Sequence, residues 1–108
     1  MFYAGLDIGS TITKVLIKNE RKVCTTVIKP TGAEHRRLAN EIMKEALRKL
    51  NLTTANISYI VATGYGRINV PFADKQVTEI TCHMRGINWL FPSVKTIIDI
   101  GGQDSKGI

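Results

Sequence analysis

The sequence predicts an α/β fold, in which a mixed sheet of three antiparallel strands is extended by parallel strands and carries packed helices. Closely spaced strand-like segments over residues 2–29, an amphipathic helix after them and the β-branched segment ISYIVAT after the helix predict it. Strands joined by short turns pair antiparallel, whereas a strand that returns after a helix can pair parallel. The 108 residues, 44% of them hydrophobic, suffice for one modest core and not for two ordinary domains.

The first thirty residues predict an antiparallel meander. Residues 2–8 form a buried strand, residues 9–12 a turn and residues 13–18 a second strand. The polar stretch NERK separates this strand from residues 23–29, where two sets of side chains alternate between the faces of a third strand.

Residues 33–50 predict a helix with one apolar face. Its apolar residues recur every third or fourth position: Leu38, Ala39, Ile42, Met43, Ala46, Leu47 and Leu50. The opposite face is charged, and Glu45 and Lys49 stand in the order that favours an ion pair between successive turns.

The second half of the chain predicts further strands and one more helix. Residues 57–63 form a strand parallel to an earlier one, and residues 65–74, which include Gly66 and Pro71, are irregular. The remaining elements are a short strand over 75–80 with Glu79 at its end, a helix over 81–91 that stops before Pro92, and an apolar strand over 96–100.

Composition excludes several classes of function. The net charge is +6, but Lys and Arg residues are dispersed and have few aromatic neighbours, so we expect no nucleic-acid partner. No apolar stretch reaches the length of a membrane span, and no signal segment opens the chain, so we expect a cytoplasmic protein without a membrane partner. Cys24 and Cys82 are too few and too far apart for a disulfide framework and are predicted to be buried free thiols.

Two strings with one layout carry the candidate chemistry, GLDIGSTITK near the start and TIIDIGGQDSK near the end. Each passes from an apolar strand through an Asp and a Gly into polar residues, with a Lys seven positions after the Asp. A carboxylate at the end of a buried strand loses hydration, so Asp7 and Asp99 each need a partner. A hydrated Mg²⁺ suits them, because proteins hold this ion through one or two carboxylates plus substrate phosphates.

The residues around the two carboxylates predict a polyphosphate site. Glycines allow close approach of the backbone, Ser10 and Thr11 add donors, and Lys14 supplies a counterion. The candidate phosphate-binding residues are Gly9, Ser10, Thr11, Lys14, Gly101 and Gly102. One such turn alone is more often an Asx turn or strand terminator, and the repetition is what favours a ligand gripped from two sides. The chain has no GxxxxGK[ST] loop.

Four strings together, GLDIGSTITK, ATGYGR, ADKQVTEITCHMRG and TIIDIGGQDSK, resemble the ATPase activators of 2-hydroxyacyl-CoA dehydratases and the ATPase subunits of benzoyl-CoA reductases. Those proteins belong to the actin, hexokinase and Hsp70 superfamily. The resemblance implies a ribonuclease-H-like first lobe over residues 1–94 and the truncated start of a second lobe over 95–108. It also implies that the chain is the N-terminal fragment of an ATPase that drives low-potential electron transfer into a dehydratase or reductase.

The resemblance implies roles for single residues. Asp7 and Asp99 would hold Mg²⁺ through its water shell beside ATP or ADP, with Gly9, Ser10, Thr11, Gly101 and Gly102 as the phosphate cradle. Glu79 would lie near the hydrolytic water, and Gln103 would orient that water. Ordinary surface hydrogen bonding explains Glu79 and Gln103 equally well.

The resemblance further implies a homodimer with one shared [4Fe-4S] cluster and a dehydratase or reductase component as partner. Cys24 and Cys82 do not match the cluster-ligand positions, so we expect this chain alone neither to hold a cluster nor to hydrolyse ATP at a useful rate. Its last strand would then lack neighbours and leave an edge open to dimerisation. Two alternatives stay open: a sugar or acid kinase of the same superfamily, and a non-catalytic remnant that binds partners.

Overall fold

A computed structural model of the chain describes residues 1–90, 98–100 and 105–107. The strands and helices, in chain order, are β1 (Phe2–Ile8), β2 (Ile12–Lys18), β3 (Val23–Pro30), α1 (His35–Lys49), β4 (Ile57–Thr63), β5 (Lys75–Gln76), α2 (Glu79–Leu90), β6 (Ile98–Ile100) and β7 (Ser105–Gly107). Single 3-10 turns lie at Thr54–Asn56 and Arg67–Asn69. Within the described residues, every helix is too short or too polar to cross a membrane.

Five strands form one mixed sheet in the order β3-β2-β1-β4-β5. Strand β1 lies at its centre, antiparallel to β2 and parallel to β4. Short turns produce the antiparallel pairs, whereas the passage through α1 brings β4 back parallel to β1. The predicted mixed sheet, with three antiparallel strands extended by parallel ones, is therefore confirmed.

The core lies between one face of the sheet and α1. Strand β1 buries Leu6 and Ile8 there, and β2 buries Val15 and Ile17 beside them. The helix contributes five buried residues: Ala39, Ile42, Met43, Ala46 and Leu47. Leu38, which the sequence placed on this face, is only half-buried, because the stripe facing the sheet starts at Ala39 and recurs from there at helical spacing.

The predicted ion pair between Glu45 and Lys49 within α1 is wrong. Glu45 Oε1 instead lies 3.2 Å from Nζ of Lys29 on β3. The helix packs against the three-stranded meander with Glu45 on the side that borders β3, so a tertiary partner replaces the local one. Both side chains are about one-third exposed, which keeps the expected contribution of this pair to stability below about 1 kcal/mol.

The short strand predicted over residues 75–80 is also wrong in its extent. Strand β5 ends at Gln76, and Glu79 begins α2 instead of ending a strand. The cause is Thr78, whose carbonyl oxygen accepts a hydrogen bond from the Cys82 amide at 3.1 Å and so starts the helix. Its side-chain oxygen also lies 3.4 Å from the amide nitrogen of Thr81, as in a helix N-cap.

The last described strands form a separate antiparallel hairpin. Asp99 on β6 is opposite Lys106 on β7, so the prediction that the last strand lacks a neighbour is wrong for residues 98–100. The same register, Asp7 opposite Lys14, joins β1 to β2. In the described strands of both strings, the Asp is thus opposite the Lys that follows it by seven positions. The predicted start of this strand at residues 96–97, the stop of α2 at 91–92 and the boundary between residues 94 and 95 lie outside the described residues.

Truncation of a side chain should cost much more stability on the buried face of the sheet than on its exposed face. Ile42→Ala should lower the free energy of unfolding by about 2–5 kcal/mol, because Ile42 is fully buried and its removal leaves a cavity under α1. The matched control is Ile28→Ala, at a side chain 63% exposed on β3, with an expected change within about 0.5 kcal/mol. Urea denaturation followed by circular dichroism measures both, and equal losses would contradict this packing.

Candidate functional site

Asp7 lies near the carboxyl end of β1, on the face of the sheet opposite α1. Residues alternate between faces along a strand, so the buried side chains of Leu6 and Ile8 face the core while Asp7 faces away from it. Its neighbours in the sheet are Lys14 on β2 and Thr63 on β4. The predicted carboxylate and its predicted counterion are therefore paired across β1 and β2, with Asp7 half-buried and Lys14 exposed.

The turn after β1 places donors next to this carboxylate. The Gly9 amide donates to the Ile12 carbonyl at 3.1 Å and closes the turn. A Cβ on Gly9 would lie 2.6 Å from that carbonyl oxygen, so a larger residue cannot keep the turn as it is. Ser10 and Thr11 at the tip are exposed. The predicted cradle positions of the first string are therefore assembled at one edge of the sheet.

A second turn, after β4, approaches the same end of β1. Gly64 has a φ of +91°, and a Cβ there would lie 2.5 Å from both Asp7 Oδ1 and the Ile8 carbonyl oxygen. The Gly66 amide donates to that same Ile8 carbonyl at 2.9 Å. Of these two glycines, only Gly66 lies in the predicted irregular segment 65–74, and Gly64 follows the predicted strand directly. Two glycines so close behind a strand are the sequence signal for this turn.

Arg67 connects this turn to Glu79. Its Nη1 donates to the Gly64 carbonyl at 3.0 Å and to Glu79 Oε1 at 3.1 Å. Both side chains are about one-third exposed, so solvent screening limits the ion pair to about 1 kcal/mol or less. The consequence is geometric: the first residue of α2 is fastened to the turn that packs against Asp7. Glu79, which the sequence placed at the end of a strand, reaches this edge from a helix.

Cys82 lies one turn further along α2, near the same carboxylates. Burial raises the pKa of its thiol, and the charges of Asp7 and Glu79 raise it further. The nearby Thr63 hydroxyl and Arg85 oppose this shift of the pKa. Thr63 Oγ1 has no hydrogen-bond partner within the described chain, so its contact with the Cys82 thiol is not a hydrogen bond.

Both cysteines are free thiols, as predicted, but each is half-buried instead of buried. Cys24 lies on β3, which is an edge strand of the sheet, and Cys82 lies on a different element, α2. Among residues 1–90, 98–100 and 105–107 no three His, Cys, Asp or Glu side chains could share a metal ion. These residues therefore do not fit a [4Fe-4S] cluster, whose ligands are usually four cysteines.

The first string does fit one side of a Mg²⁺-polyphosphate site. That ion needs only one or two carboxylates and keeps several waters, and Asp7 offers one carboxylate beside exposed donors. Because Gly64 has no Cβ, the backbone of the turn after β4 can lie directly against Asp7 Oδ1. For the second string, the structure gives the backbone of Asp99 in β6, whereas Gly101, Gly102 and Gln103 lie outside the described residues.

Comparison with known proteins gives a family for this arrangement. The model of the BadF/BadG/BcrA/BcrD ATPase family matches residues 4–108, which is almost the whole chain. The chain belongs to the BadF/BadG/BcrA/BcrD ATPase family. The predicted resemblance is thereby confirmed.

Relatives in this ATPase family include two named activators. The chain is 42% identical over 109 residues to the 2-hydroxyisocaproyl-CoA dehydratase activator of Clostridioides difficile, covering 98% of this chain and 40% of the relative. It is 44% identical over 111 residues to the activator of lactoyl-CoA dehydratase of Anaerotignum propionicum, covering 100% of this chain and 42% of the relative. The chain thus spans about two-fifths of the length of these relatives.

Solved structures confirm the fold. The Clostridium difficile activator of the 2-hydroxyisocaproyl-CoA dehydratase, solved with bound ADPNP, matches with a TM-score of 0.88 at 41% identity over 99% of this chain and 40% of that one. Component A of the Acidaminococcus fermentans (R)-2-hydroxyglutaryl-CoA dehydratase matches with a TM-score of 0.90 at 34% identity, over 100% of this chain and 42% of that one. YeaZ from Pseudomonas aeruginosa, at 8% identity and a TM-score of 0.65, shares the fold alone.

Alanine substitutions at two glycines of this ATPase family member test the packing of the turn after β4. Gly64→Ala should lower the free energy of unfolding by about 2–5 kcal/mol, because the new Cβ meets backbone and Asp7 while φ is positive. Gly5→Ala is the matched control, since open space surrounds that position, and it should change stability by less than about 1 kcal/mol in the stabilising direction. Thermal and urea unfolding measure both, and a harmless Gly64→Ala contradicts the close approach.

The pH dependence of Cys82 alkylation should show the effect of burial and of nearby charges on the pKa of the thiol. In a Cys24→Ser background, alkylation by iodoacetamide should need a higher pH in the folded chain than in urea, because folding raises the thiol pKa. The unfolded chain then loses this proton first, so the free energy of unfolding falls as the pH rises from the unfolded pKa towards the folded one.

Asp7→Asn should move the alkylation midpoint of Cys82 to lower pH, since it removes a negative charge that raises the pKa. Glu34→Gln, at an exposed residue just before α1, should leave the midpoint in place. Equal midpoints in Asp7→Asn and the parent chain would show that Asp7 and Cys82 are not neighbours.

Proposed function

We propose that this chain supplies the first lobe of an ATP-hydrolysing activator that drives a low-potential electron into a 2-hydroxyacyl-CoA dehydratase or a benzoyl-CoA reductase type of enzyme. Residues 1–94 form this lobe, and residues 95–108 begin the second. One observation carries the proposal: the Asp7 carboxylate lies at a strand end between two turns. One is the donor-bearing turn after β1, and the other contains Gly64, which lies too close to Asp7 for any Cβ. The names of the relatives support the choice of partner.

Within this proposal Asp7 holds a water of the Mg²⁺ that accompanies ATP or ADP. The exposed Ser10 and Thr11, with the backbone at Gly9, donate hydrogen bonds to phosphate oxygens, and Lys14 balances their charge. Bound Mg²⁺ neutralises charge on the phosphates and positions them. On the other side of the nucleotide, Asp99, Gly101 and Gly102 repeat these roles.

Glu79 and Gln103 are proposed to act on the attacking water. A Glu79 carboxylate oxygen accepts a hydrogen bond from that water and so orients its lone pair towards the phosphate. Arg67 holds Glu79 in place through the 3.1 Å contact between Nη1 and Oε1. The attachment of this pair to the Gly64 carbonyl keeps the carboxylate at the edge where Asp7 lies.

The repeated hairpin supports a site with two sides. Asp7 and Lys14 are opposite each other in one hairpin, and Asp99 and Lys106 in the other. Two lobes built around such hairpins would close on one nucleotide and change their relative orientation when it is hydrolysed. We propose that this motion is coupled to electron delivery in a cytoplasmic homodimer, where a shared [4Fe-4S] cluster would supply the low-potential electron and would need ligands from outside the described residues. The described residues of this chain do not supply the ligands of that cluster.

A hybrid protein tests the proposed ATPase. In it, this chain replaces the matching two-fifths of the Clostridioides difficile relative. Asp7→Asn should weaken binding of Mg-ADP at least about tenfold, because a charged hydrogen bond to the hydrated metal is lost. Isothermal titration calorimetry measures the affinity, and phosphate release measures hydrolysis.

The control in the hybrid is Glu34→Gln, which makes the same change from carboxylate to amide at an exposed position and should leave both readouts unchanged. Unaltered affinity in Asp7→Asn contradicts the proposed metal role. ADP formation that requires an added sugar or acid and phosphorylates it, without release of inorganic phosphate, would favour a kinase. ATP hydrolysis without electron delivery to a dehydratase would refute the coupling.

A further inference from the structure

Thr63, the last residue of β4, carries a buried hydroxyl that the fold does not use. The residue is only 7% exposed, and its Oγ1 has no hydrogen-bond partner within the described chain. The other buried polar residue of the described chain, Thr13, behaves differently, because its Oγ1 lies 2.6 Å from Oγ1 of Thr31. A valine would fill the same space as Thr63, with similar strand propensity and without an unpaired polar atom.

The position of Thr63 points to a ligand. Thr63 is the parallel-strand neighbour of Asp7, so both side chains leave the sheet on the face opposite α1. The next residue, Gly64, packs against Asp7 Oδ1. On α2, the Cys82 thiol lies close enough for the Thr63 hydroxyl to lower its pKa, but Thr63 Oγ1 has no hydrogen-bond partner within the described chain. The unpaired oxygen therefore lies at the candidate nucleotide site and not in the apolar core.

We propose that Thr63 is a further binding residue of this site, whose Oγ1 accepts a hydrogen bond from a water that also donates to the Asp7 carboxylate. A water bound to Mg²⁺ directs its oxygen to the metal and has both hydrogens free to donate, so it matches a carboxylate and a hydroxyl acceptor placed side by side. This inference rests on the proposed function. On this inference, the Thr63 hydroxyl gains its hydrogen-bond partner only when the ligand is bound.

The inference predicts opposite effects of one substitution on stability and on binding. In the 108-residue chain without nucleotide, Thr63→Val should raise the midpoint of thermal unfolding, because it removes an unpaired buried hydroxyl. Thr13→Val is the matched control and should lower that midpoint, since it leaves Thr31 without its partner. Thr63→Ser keeps the hydroxyl and loses a buried methyl group, so it should also lower the midpoint.

Binding of Mg-ADP is measured by isothermal titration calorimetry in the hybrid protein, where a second lobe completes the proposed site. Thr63→Val should weaken binding about five- to tenfold, as expected for one lost hydrogen bond, whereas Thr63→Ser and Thr13→Val should stay within about twofold of the parent hybrid.

The outcomes distinguish the role of Thr63 from the proposed nucleotide site itself. A lower unfolding midpoint in Thr63→Val shows that the hydroxyl is already used by the fold and overturns the inference without reference to nucleotide. A higher midpoint with unchanged Mg-ADP affinity overturns the inference and leaves the proposed function standing. A parent hybrid that folds but does not bind Mg-ADP removes the proposed site itself, and the role of Thr63 with it.

Discussion

The contact between the turn after β4 and the end of β1 determines where the other parts of the site lie. The Gly66 amide donates to the Ile8 carbonyl, and Gly64 lies against Asp7 at a distance that leaves no room for a Cβ. Because β1 is the central strand, this contact fixes the turn to the most constrained part of the sheet. Arg67 then extends from the turn to Glu79, which brings the start of α2 to the same edge.

The two faces of β1 serve different physical purposes. Towards α1, the side chains are apolar and closely packed, and the buried hydroxyl of Thr13 has a partner. On the other face, Asp7 is half-buried, Thr63 has an unpaired hydroxyl and the thiol of Cys82 has a raised pKa. A carboxylate, an unpaired buried hydroxyl and a thiol with a raised pKa that lie together at a strand end are typical of a binding site, and a ligand there would complete the hydrogen bonding of Thr63.

Local sequence signals predicted the strands and α1 well, because apolar runs and helical spacing depend on neighbours in the chain. Residues 2–8 and 57–63 form strands as predicted, and the predicted parallel return of the second is correct. The boundary at Glu79 was missed because KQVTEI fits a strand as well as a helix start, and the capping by Thr78 decided it. The glycines after β4 indicate a turn, but the contact of Gly64 with Asp7, like the partner of Glu45, joins distant segments and has no local pattern in the sequence.

The decisive measurement is a crystal structure of the hybrid with bound Mg-ADPNP, which shows whether each strand-end carboxylate contacts the metal through a water. We predict that Asp7 from one hairpin and Asp99 from the other each reach the same Mg²⁺ through a single water. A complex in which the nucleotide is bound while Asp7 faces another surface, or in which only one of the two hairpins meets the phosphates, would contradict the proposed two-sided site.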